Sequence, residues 1–297
     1  MTGHDVVVVV GGRVAGASTA LLLARAGVRV ILLDRDRHGS DTLSTHGLMR
    51  GGVLQLSRWG VLPNVVAAGT PPIRQVIFRY ADGKRDSVTV RTSPGVDALY
   101  APRRYLLDQL LVDAAAAAGA DVRHETIVTA LLRDTVGRVV GVRTRNRDGH
   151  STDLSATLTI GADGIRSTVA QQVQAPVSEQ GTTAGAVLYR YFHDLPAAGY
   201  EWAYGDHAAT GFIPTNDATC VFVGTAPARM HSLRRDGAEL AFTTLVASAG
   251  PAFVDRVAAA TPVSRMYGWA GASGYLRQCV GDTAGRWLAM PAISRIR

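Results

Sequence analysis

The clearest pattern of apolar and polar positions lies at the start of the chain. Val6–Val10 is an uninterrupted β-branched run, which is typical of a parallel strand buried on both faces. After a turn that contains glycine, residues 17–26 are mostly alanine and leucine and predict a helix that ends at Gly27. Residues 28–33 predict a second strand, which stops at an acidic residue. This order of elements predicts a βαβ unit.

Further apolar runs of helical and strand length follow the βαβ unit. Helices are predicted at about residues 51–59 and at residues 106–118, where alanine and leucine dominate. Strands are predicted at residues 121–129 and 137–145, and we expect both to feed the sheet of the βαβ unit. A further strand is predicted at residues 157–160.

The pattern changes character near residue 184. Four strand-like runs separated by turns lie at residues 186–192, 200–204, 210–213 and 219–223. Asn216-Asp217 fits a hairpin turn between the last two, so these runs predict an antiparallel sheet. Residues 237–260 are rich in alanine and predict a helical segment, interrupted at Gly250-Pro251. The aromatic residues of the strands could line an apolar pocket, but a sheet core uses the same residue types.

Composition indicates a globular protein, with 47% hydrophobic and 19% charged residues in a chain of 297. The net charge of +7 raises the question of nucleic-acid binding. However, Lys84 is the sole lysine, the arginines are scattered along the chain, and no aromatic platform is interleaved with them. We therefore expect a small-molecule substrate and no nucleic-acid partner.

The cysteines and the N-terminal region bear on the cellular compartment. Cys220 and Cys279 are isolated thiols without metal-ligand spacing, which fits a reducing compartment. The first ten residues lack the basic region of a signal peptide. The apolar stretch 6–33 is broken by arginines, so we expect no membrane span and a cytoplasmic location.

The glycine turn carries the candidate chemistry of the βαβ unit. Its sequence is Gly11-Gly12-Arg13-Val14-Ala15-Gly16, and Asp34 ends the second strand. A dinucleotide site needs a tight turn, close approach of the backbone to a diphosphate, and a helix N-terminus that faces the negative charge. An acid about 20 residues further on meets the ribose hydroxyls. An ordinary βαβ unit with a glycine turn is the alternative, but the complete pattern favours dinucleotide binding.

Arg13 departs from the fingerprint, which has glycine at this position. Its side chain could crowd the phosphates, or it could turn outward and place a guanidinium beside them. We favour an arginine whose guanidinium lies adjacent to the phosphates. Gly12 would then allow part of the close approach of the backbone to the phosphates.

A second motif, Gly161-Ala162-Asp163-Gly164-Ile165-Arg166-Ser167, follows the strand predicted at residues 157–160. It resembles the second FAD motif of the para-hydroxybenzoate hydroxylase type of flavoprotein, a group that includes aromatic hydroxylases and geranylgeranyl-reductase-like enzymes. The resemblance implies that Asp163 and Gly164 lie beside the ribityl and diphosphate region of FAD. An N-cap or plain helix start at Ser167 is the structural alternative.

Two other segments agree with this resemblance. Arg103 and Arg104, ahead of the predicted helix 106–118, resemble the family's arginine that opens a helix and contacts FAD; two surface arginines are the alternative. Residues 41–46 resemble a segment common in a bacterial subgroup of the family, and we expect His46 to be a structural hydrogen-bonding residue rather than a catalytic one.

The resemblance implies a fold and a domain arrangement. The fold is of the α/β class, a Rossmann-like, three-layer FAD-binding domain with an inserted antiparallel β-sheet as substrate domain. We expect the FAD-binding domain at residues 1–170, with a small substrate-side insertion around 71–100. The substrate domain is expected at residues 171–275, and residues 276–297 return to the FAD domain.

The C-terminal residues differ from the family pattern, which has a Gly-Asp after a strand and then a glycine-rich helix. Gly281-Asp282 has no long strand before it, so our preferred alignment makes residues 287–289 the expected strand. Codons for residues 289–297 can be chosen so that a shifted frame spells Gly-Asp-Ala-Gly-Tyr-Phe-Lys-Asp-Pro. We therefore expect a chain truncated by a frameshift near Ala289, with weakened affinity for FAD.

Three functional hypotheses remain. The first is an FAD-dependent oxidoreductase, in particular a monooxygenase that hydroxylates an aromatic or polycyclic metabolite. It would take electrons from transiently bound NAD(P)H and react through a flavin hydroperoxide. A flavin-dependent double-bond reductase is the alternative within this class. The second is an NAD-dependent dehydrogenase. The Asp163 motif and the inserted sheet argue against it. The third is an inactive or weakly FAD-binding remnant.

Overall fold

A computed structural model describes residues 6–43, 47–271, 274–277 and 287–289. The predictions that concern His46, Cys279, the Gly281-Asp282 alternative and the frameshifted residues 290–297 lie outside these ranges. The chain divides into two compact units. The first comprises Met1–Asp41, Tyr105–Gly181 and Gly274–Arg297, and the second comprises Thr42–Arg104 and Thr182–Ser273.

The strands of the described residues, in chain order, are β1 (Val6–Val10), β2 (Arg29–Leu33), β3 (Gln75–Tyr80), β4 (Arg85–Thr89), β5 (Asp121–Arg123), β6 (Ile127–Arg133), β7 (Val139–Arg145), β8 (Ser151–Ser155), β9 (Leu158–Gly161), β10 (Val177–Gln180), β11 (Ala186–His193), β12 (Tyr200–Tyr204), β13 (Ala208–Pro214), β14 (Thr219–Thr225), β15 (Thr261–Pro262), β16 (Tyr267–Ala270), β17 (Tyr275–Arg277) and β18 (Trp287–Ala289). The α-helices are α1 (Val14–Arg25), α2 (Arg50–Arg58), α3 (Leu62–Ala67), α4 (Arg104–Ala117), α5 (Thr168–Gln172), α6 (Pro227–Leu233), α7 (Ala238–Ala249) and α8 (Val254–Ala259). None of the helices in the described ranges is both long and apolar enough to cross a bilayer.

The first unit is built on a five-stranded parallel sheet with the order β18-β9-β1-β2-β5. The β-branched strand β1 lies at its centre, and Val8 and Val9 are fully buried, as the uninterrupted apolar run predicts. Strand β18 pairs in parallel with β9, which confirms the strand predicted at residues 287–289. The β1-α1-β2 unit is likewise confirmed.

A separate antiparallel sheet of three strands, β6-β7-β8, packs on the parallel sheet. The core between them contains Val8 and Val10 of β1 with Val128 and Val142 of the small sheet. The expectation that residues 121–129 and 137–145 feed the parallel sheet is therefore confirmed for β5 and wrong for β6 and β7. Glu125, with a positive φ of 52°, lies between β5 and β6, and the chain leaves the parallel sheet at this point.

The second unit contains a mixed sheet of eight strands with the order β15-β11-β14-β13-β12-β3-β4, and β16 also pairs with β11. Alternate residues of β11 face opposite sides. Leu188 lies in the core formed with α7, whereas Tyr189 lies in a cluster on the other face that includes Tyr200 and Cys220. The hairpin predicted at Asn216-Asp217 joins β13 to β14 and is confirmed.

The sheet of the second unit extends beyond the predicted antiparallel strands. Strands β3 and β4, from the region expected to form a small insertion, join it through a parallel pairing of β3 with β12. The second unit begins at Thr42, well before the predicted insertion. The α/β fold, with a parallel sheet and separate antiparallel pairings, is as the sequence predicts.

Candidate functional site

The glycine turn and the Asp163 loop meet at the carboxyl edge of the parallel sheet. Strands β1 and β9 run side by side with Val10 opposite Gly161, and the amide of Ala162 donates to the carbonyl of Val10 at 2.7 Å. A Cβ atom on Gly11 would lie 3.0 Å from the Cα of Asp163. The two motifs, about 150 residues apart in sequence, therefore lie side by side, which confirms the placement that the sequence predicts.

Close backbone contacts explain two of the fingerprint glycines. Gly11 has a φ of +103°, and a Cβ there would approach the carbonyl oxygen of Ala162 to 2.5 Å. A Cβ on Gly16 would lie 1.8 Å from the carbonyl oxygen of Gly11. Since neither contact can be relieved by rotating a side chain, any other residue at these positions would open the turn.

Gly12 and Asp34 form the acidic side of the turn. The Gly12 amide donates to Oδ2 of Asp34 at 2.7 Å, and the Asp36 amide donates to Oδ1 at 2.7 Å. Asp34 is 6% exposed, and a Cβ on Gly12 would lie 2.6 Å from its Oδ2. The carboxylate therefore has a fixed orientation, with lone pairs left over for a further donor such as a ribose hydroxyl.

The N-terminus of α1 is suited to an anion. Arg13 is its N-cap residue, and within the described residues no side chain caps this end and no acid lies in the first turn. Ala15 lies in that turn, where the helical N–H groups have no partners of their own within the helix. Such an end carries partial positive charge and attracts phosphate.

Asp163 holds its own loop together. Its Oδ1 accepts a hydrogen bond from the Ser167 hydroxyl at 2.5 Å, and its Oδ2 accepts from the Thr168 amide at 2.7 Å. Ser167 is the N-cap of α5 and accepts from the Ala170 amide, as the structural alternative predicts. Gly164, with a φ of +84°, allows the turn that closes this arrangement. Both oxygens of Asp163 are thus used to shape the backbone.

The Arg13 guanidinium is bound by acidic and polar groups of the protein. It donates to Asp36 at 2.9 Å, to Asp108 at 3.0 Å, and to the carbonyl and hydroxyl oxygens of Ser40 at 2.7 and 3.1 Å. Burial alone would lower the pKa of Arg13, but the hydrogen bonds to Asp36 and Asp108 outweigh it and raise the pKa, so the side chain stays charged. Direct contact between this guanidinium and a phosphate, which the sequence favours, stays a prediction.

Sequence reasoning missed Asp36, Ser40 and Asp108. The sequence did contain a signal for Asp108. It lies three, four and seven residues before the buried Leu111, Val112 and Ala115, which places it on the same face of α4. An acid within an apolar helical stripe requires a charged or hydrogen-bonding partner.

Arg103 and Arg104 belong to the second unit. The Arg103 amide donates to Asn216, and its guanidinium pairs with Asp217 at 3.3 Å and stacks 3.7 Å from the centre of the Tyr191 ring. Arg104 is the first residue of α4 and is half-buried. Cofactor contact by either arginine stays a prediction.

The arrangement at the sheet edge fits a dinucleotide. A cradle that a Cβ would fill, an uncapped helix N-terminus and an oriented acid lie next to one another in the order that a diphosphate and its ribose require.

Comparison with known proteins also indicates a dinucleotide-binding protein. The profile of the family described as FAD binding domain matches residues 4–279. The chain is 30% identical over 256 residues to aklavinone 12-hydroxylase DnrF of Streptomyces peucetius, which covers 77% of this chain and 51% of the relative. It is 31% identical over 166 residues to digeranylgeranylglycerophospholipid reductase 2 of Methanothermobacter thermautotrophicus, covering 56% and 41% of the two chains.

A solved structure has the same fold. The myxobacterial chondrochloren halogenase CndH, described as a variant of FAD-dependent halogenases, matches with a TM-score of 0.81 at 23% identity, covering 95% of this chain and 68% of that one. The chain spans about half the length of the curated relatives it matches, or less.

Proposed function

The chain belongs to the FAD binding domain family, and from this we propose that its first unit holds FAD with the diphosphate at the glycine turn. We further propose that the protein is an FAD-dependent oxidoreductase, a monooxygenase that uses NAD(P)H and hydroxylates an aromatic or polycyclic metabolite. The observation that carries the cofactor proposal is the contact between the turn at Gly11 and the loop at Asp163.

The residues of the chain would bind and orient the cofactor. Gly11 and Gly16 let the backbone approach the diphosphate, and the N-terminus of α1 supplies its partial positive charge. The fixed carboxylate of Asp34 would accept hydrogen bonds from the ribose hydroxyls. Asp163 would act through the loop backbone that it holds in place.

The bound flavin would supply the redox chemistry, accepting hydride from the nicotinamide and activating oxygen. The DnrF relative is named as a hydroxylase, which supports the monooxygenase assignment. The reductase relative supports a second candidate, a flavin-dependent reduction of a carbon–carbon double bond.

Reconstitution of the 297-residue chain tests the cofactor proposal. The protein is incubated with FAD or NAD⁺ and desalted, and the retained cofactor is measured by absorbance. We expect retention of FAD and none of NAD⁺. Asp163→Ala should lower FAD retention, whereas Asp153→Ala, at an exposed pair on β8, should not. Retention of NAD⁺ alone would support the dehydrogenase hypothesis, and retention of neither would support the remnant.

Oxygen uptake separates the two oxidoreductase candidates. With NAD(P)H and a panel of phenolic and polycyclic compounds, a monooxygenase consumes oxygen in proportion to hydroxylated product. A double-bond reductase forms its product under nitrogen with equal yield, and that result would replace the monooxygenase assignment.

A further inference from the structure

Arg13 occupies the fingerprint position at which a glycine is expected, yet its backbone does not disturb the turn. The residue has an extended conformation (φ −88°, ψ −173°), and its carbonyl accepts the first helical hydrogen bond, from Ala17, at 2.8 Å. The side chain leaves the turn and reaches the loop after β2 at Asp36 and Ser40, and α4 at Asp108. The arginine therefore joins three segments around the N-terminus of α1.

Three carboxylates lie around this end of the helix. Asp34 is bonded to the Gly12 amide, and Asp36 and Asp108 are paired with Arg13 at 2.9 and 3.0 Å. The side chains of Asp34 and Asp108 are nearly inaccessible to water, so solvent screens their charge poorly. Arg13 is electrostatically coupled to Asp34 as well.

We propose that Arg13 is a positioning residue for the diphosphate of FAD, acting by neutralising Asp36 and Asp108 and holding them away from the anion. This inference rests on the proposed function, since it takes the diphosphate to lie at the turn of Gly11. A diphosphate carries negative charge, and uncompensated carboxylates nearby would repel it. The arginine thereby allows acids on the β2 loop and on α4 to surround an anion-binding helix end.

The fingerprint alone predicts the opposite effect of a substitution at residue 13. Arg13→Gly restores the consensus glycine and removes a bulky side chain from the turn, so the fingerprint predicts equal or tighter binding. If the arginine compensates charge, the same substitution leaves a buried acid without this cation and weakens FAD binding by about tenfold or more.

The experiment is an equilibrium titration of the 297-residue chain with FAD, monitored by the quenching of flavin fluorescence. We expect Arg13→Gly to bind FAD about tenfold more weakly than wild type. The double variant Arg13→Gly/Asp108→Asn should recover most of the loss, and Arg13→Lys should lie between wild type and Arg13→Gly. Arg143→Gln removes an exposed, carboxylate-paired arginine of the same unit and should bind FAD as wild type does.

The measured affinities separate the role of Arg13 from the binding of FAD itself. Wild type without measurable FAD binding overturns the proposed function and the role of Arg13 together. Binding by wild type with equal or tighter binding by Arg13→Gly overturns only the role of Arg13. A loss that Asp108→Asn does not rescue also overturns it, in favour of a purely structural tie.

Discussion

The backbone amide of Gly12 donates a 2.7 Å hydrogen bond to Oδ2 of Asp34, which joins the glycine turn to the end of the neighbouring strand. This bond links the two sequence features from which dinucleotide binding is predicted. It also explains why residue 12 is glycine, since a Cβ there would lie 2.6 Å from the same oxygen.

Asp34→Asn tests this link. One of the two amide donors, from Gly12 or Asp36, would then face an NH₂ group, and the ribose would lose a charged acceptor. We expect FAD affinity to fall about tenfold, equivalent to roughly 1.4 kcal/mol. Isothermal titration calorimetry measures it, with the exposed Asp148→Asn as control. Unchanged affinity in Asp34→Asn would show that the carboxylate has no part in binding.

Gly16→Ala tests the packing of the turn. The new methyl group would lie 1.8 Å from the Gly11 carbonyl oxygen, so the backbone must shift and the cradle must open. We expect loss of FAD retention and a fall in unfolding free energy of about 2 kcal/mol.

Gly51→Ala is the matched control for Gly16→Ala. Gly51 lies in α2, and among the described residues no atom beyond its own helix comes within 4 Å of the position that an added methyl group would take. Alanine is favoured over glycine inside a helix by about 1 kcal/mol. This variant should retain FAD and be equally or more stable in urea unfolding. Equal behaviour of the two variants would contradict the close packing of Gly16 against the Gly11 carbonyl.

Glu201 tests the core of the second unit. Glu201 is 3% exposed, and its carboxylate accepts hydrogen bonds from Arg256 at 2.8 and 2.9 Å. Burial alone would raise the pKa of Glu201, but the hydrogen bonds and charge of Arg256 lower it below the ordinary value. Glu201→Gln should reduce the unfolding free energy at pH 7 by about 2 kcal/mol.

The pH dependence of that loss follows from the sign of the shift. A carboxylate with a lowered pKa in the folded state stabilises the fold fully above its unfolded pKa of about 4.3, and this stabilisation disappears as pH falls through the folded value. Urea unfolding curves of wild type and Glu201→Gln should therefore converge below about pH 4. Glu239→Gln, at an exposed pair with Arg190, should change stability by less than about 0.5 kcal/mol throughout. A loss in Glu201→Gln that does not shrink in acid would contradict the ion pair's role.

The sequence predicted those parts of the fold in which local pattern and tertiary environment agree. β1 is buried on both faces and its β-branched run shows it, while Gly11 and Gly16 are required by contacts within a few residues or with the adjacent strand. The pairing of β18 with β9 was also predictable, through the resemblance of the motifs.

The parts that sequence did not predict depend on contacts between distant segments. Whether β7 joins the parallel sheet or forms its own is decided by strand pairing, which leaves no local signal. The same applies to the parallel pairing of β3 with β12. The direction of the Arg13 side chain depends on Asp108, 95 residues away, although the apolar stripe of α4 marked that acid as one in need of a partner.

Hydrogen–deuterium exchange of the 297-residue chain with and without FAD measures whether both loops bind one cofactor. We expect FAD to slow amide exchange in peptides covering residues 11–16 and residues 161–168 together, at the same ligand concentration, and NAD⁺ to leave the second peptide unchanged. Protection of the first peptide alone, or equal protection by NAD⁺, would contradict shared binding of FAD by Gly11 and Asp163.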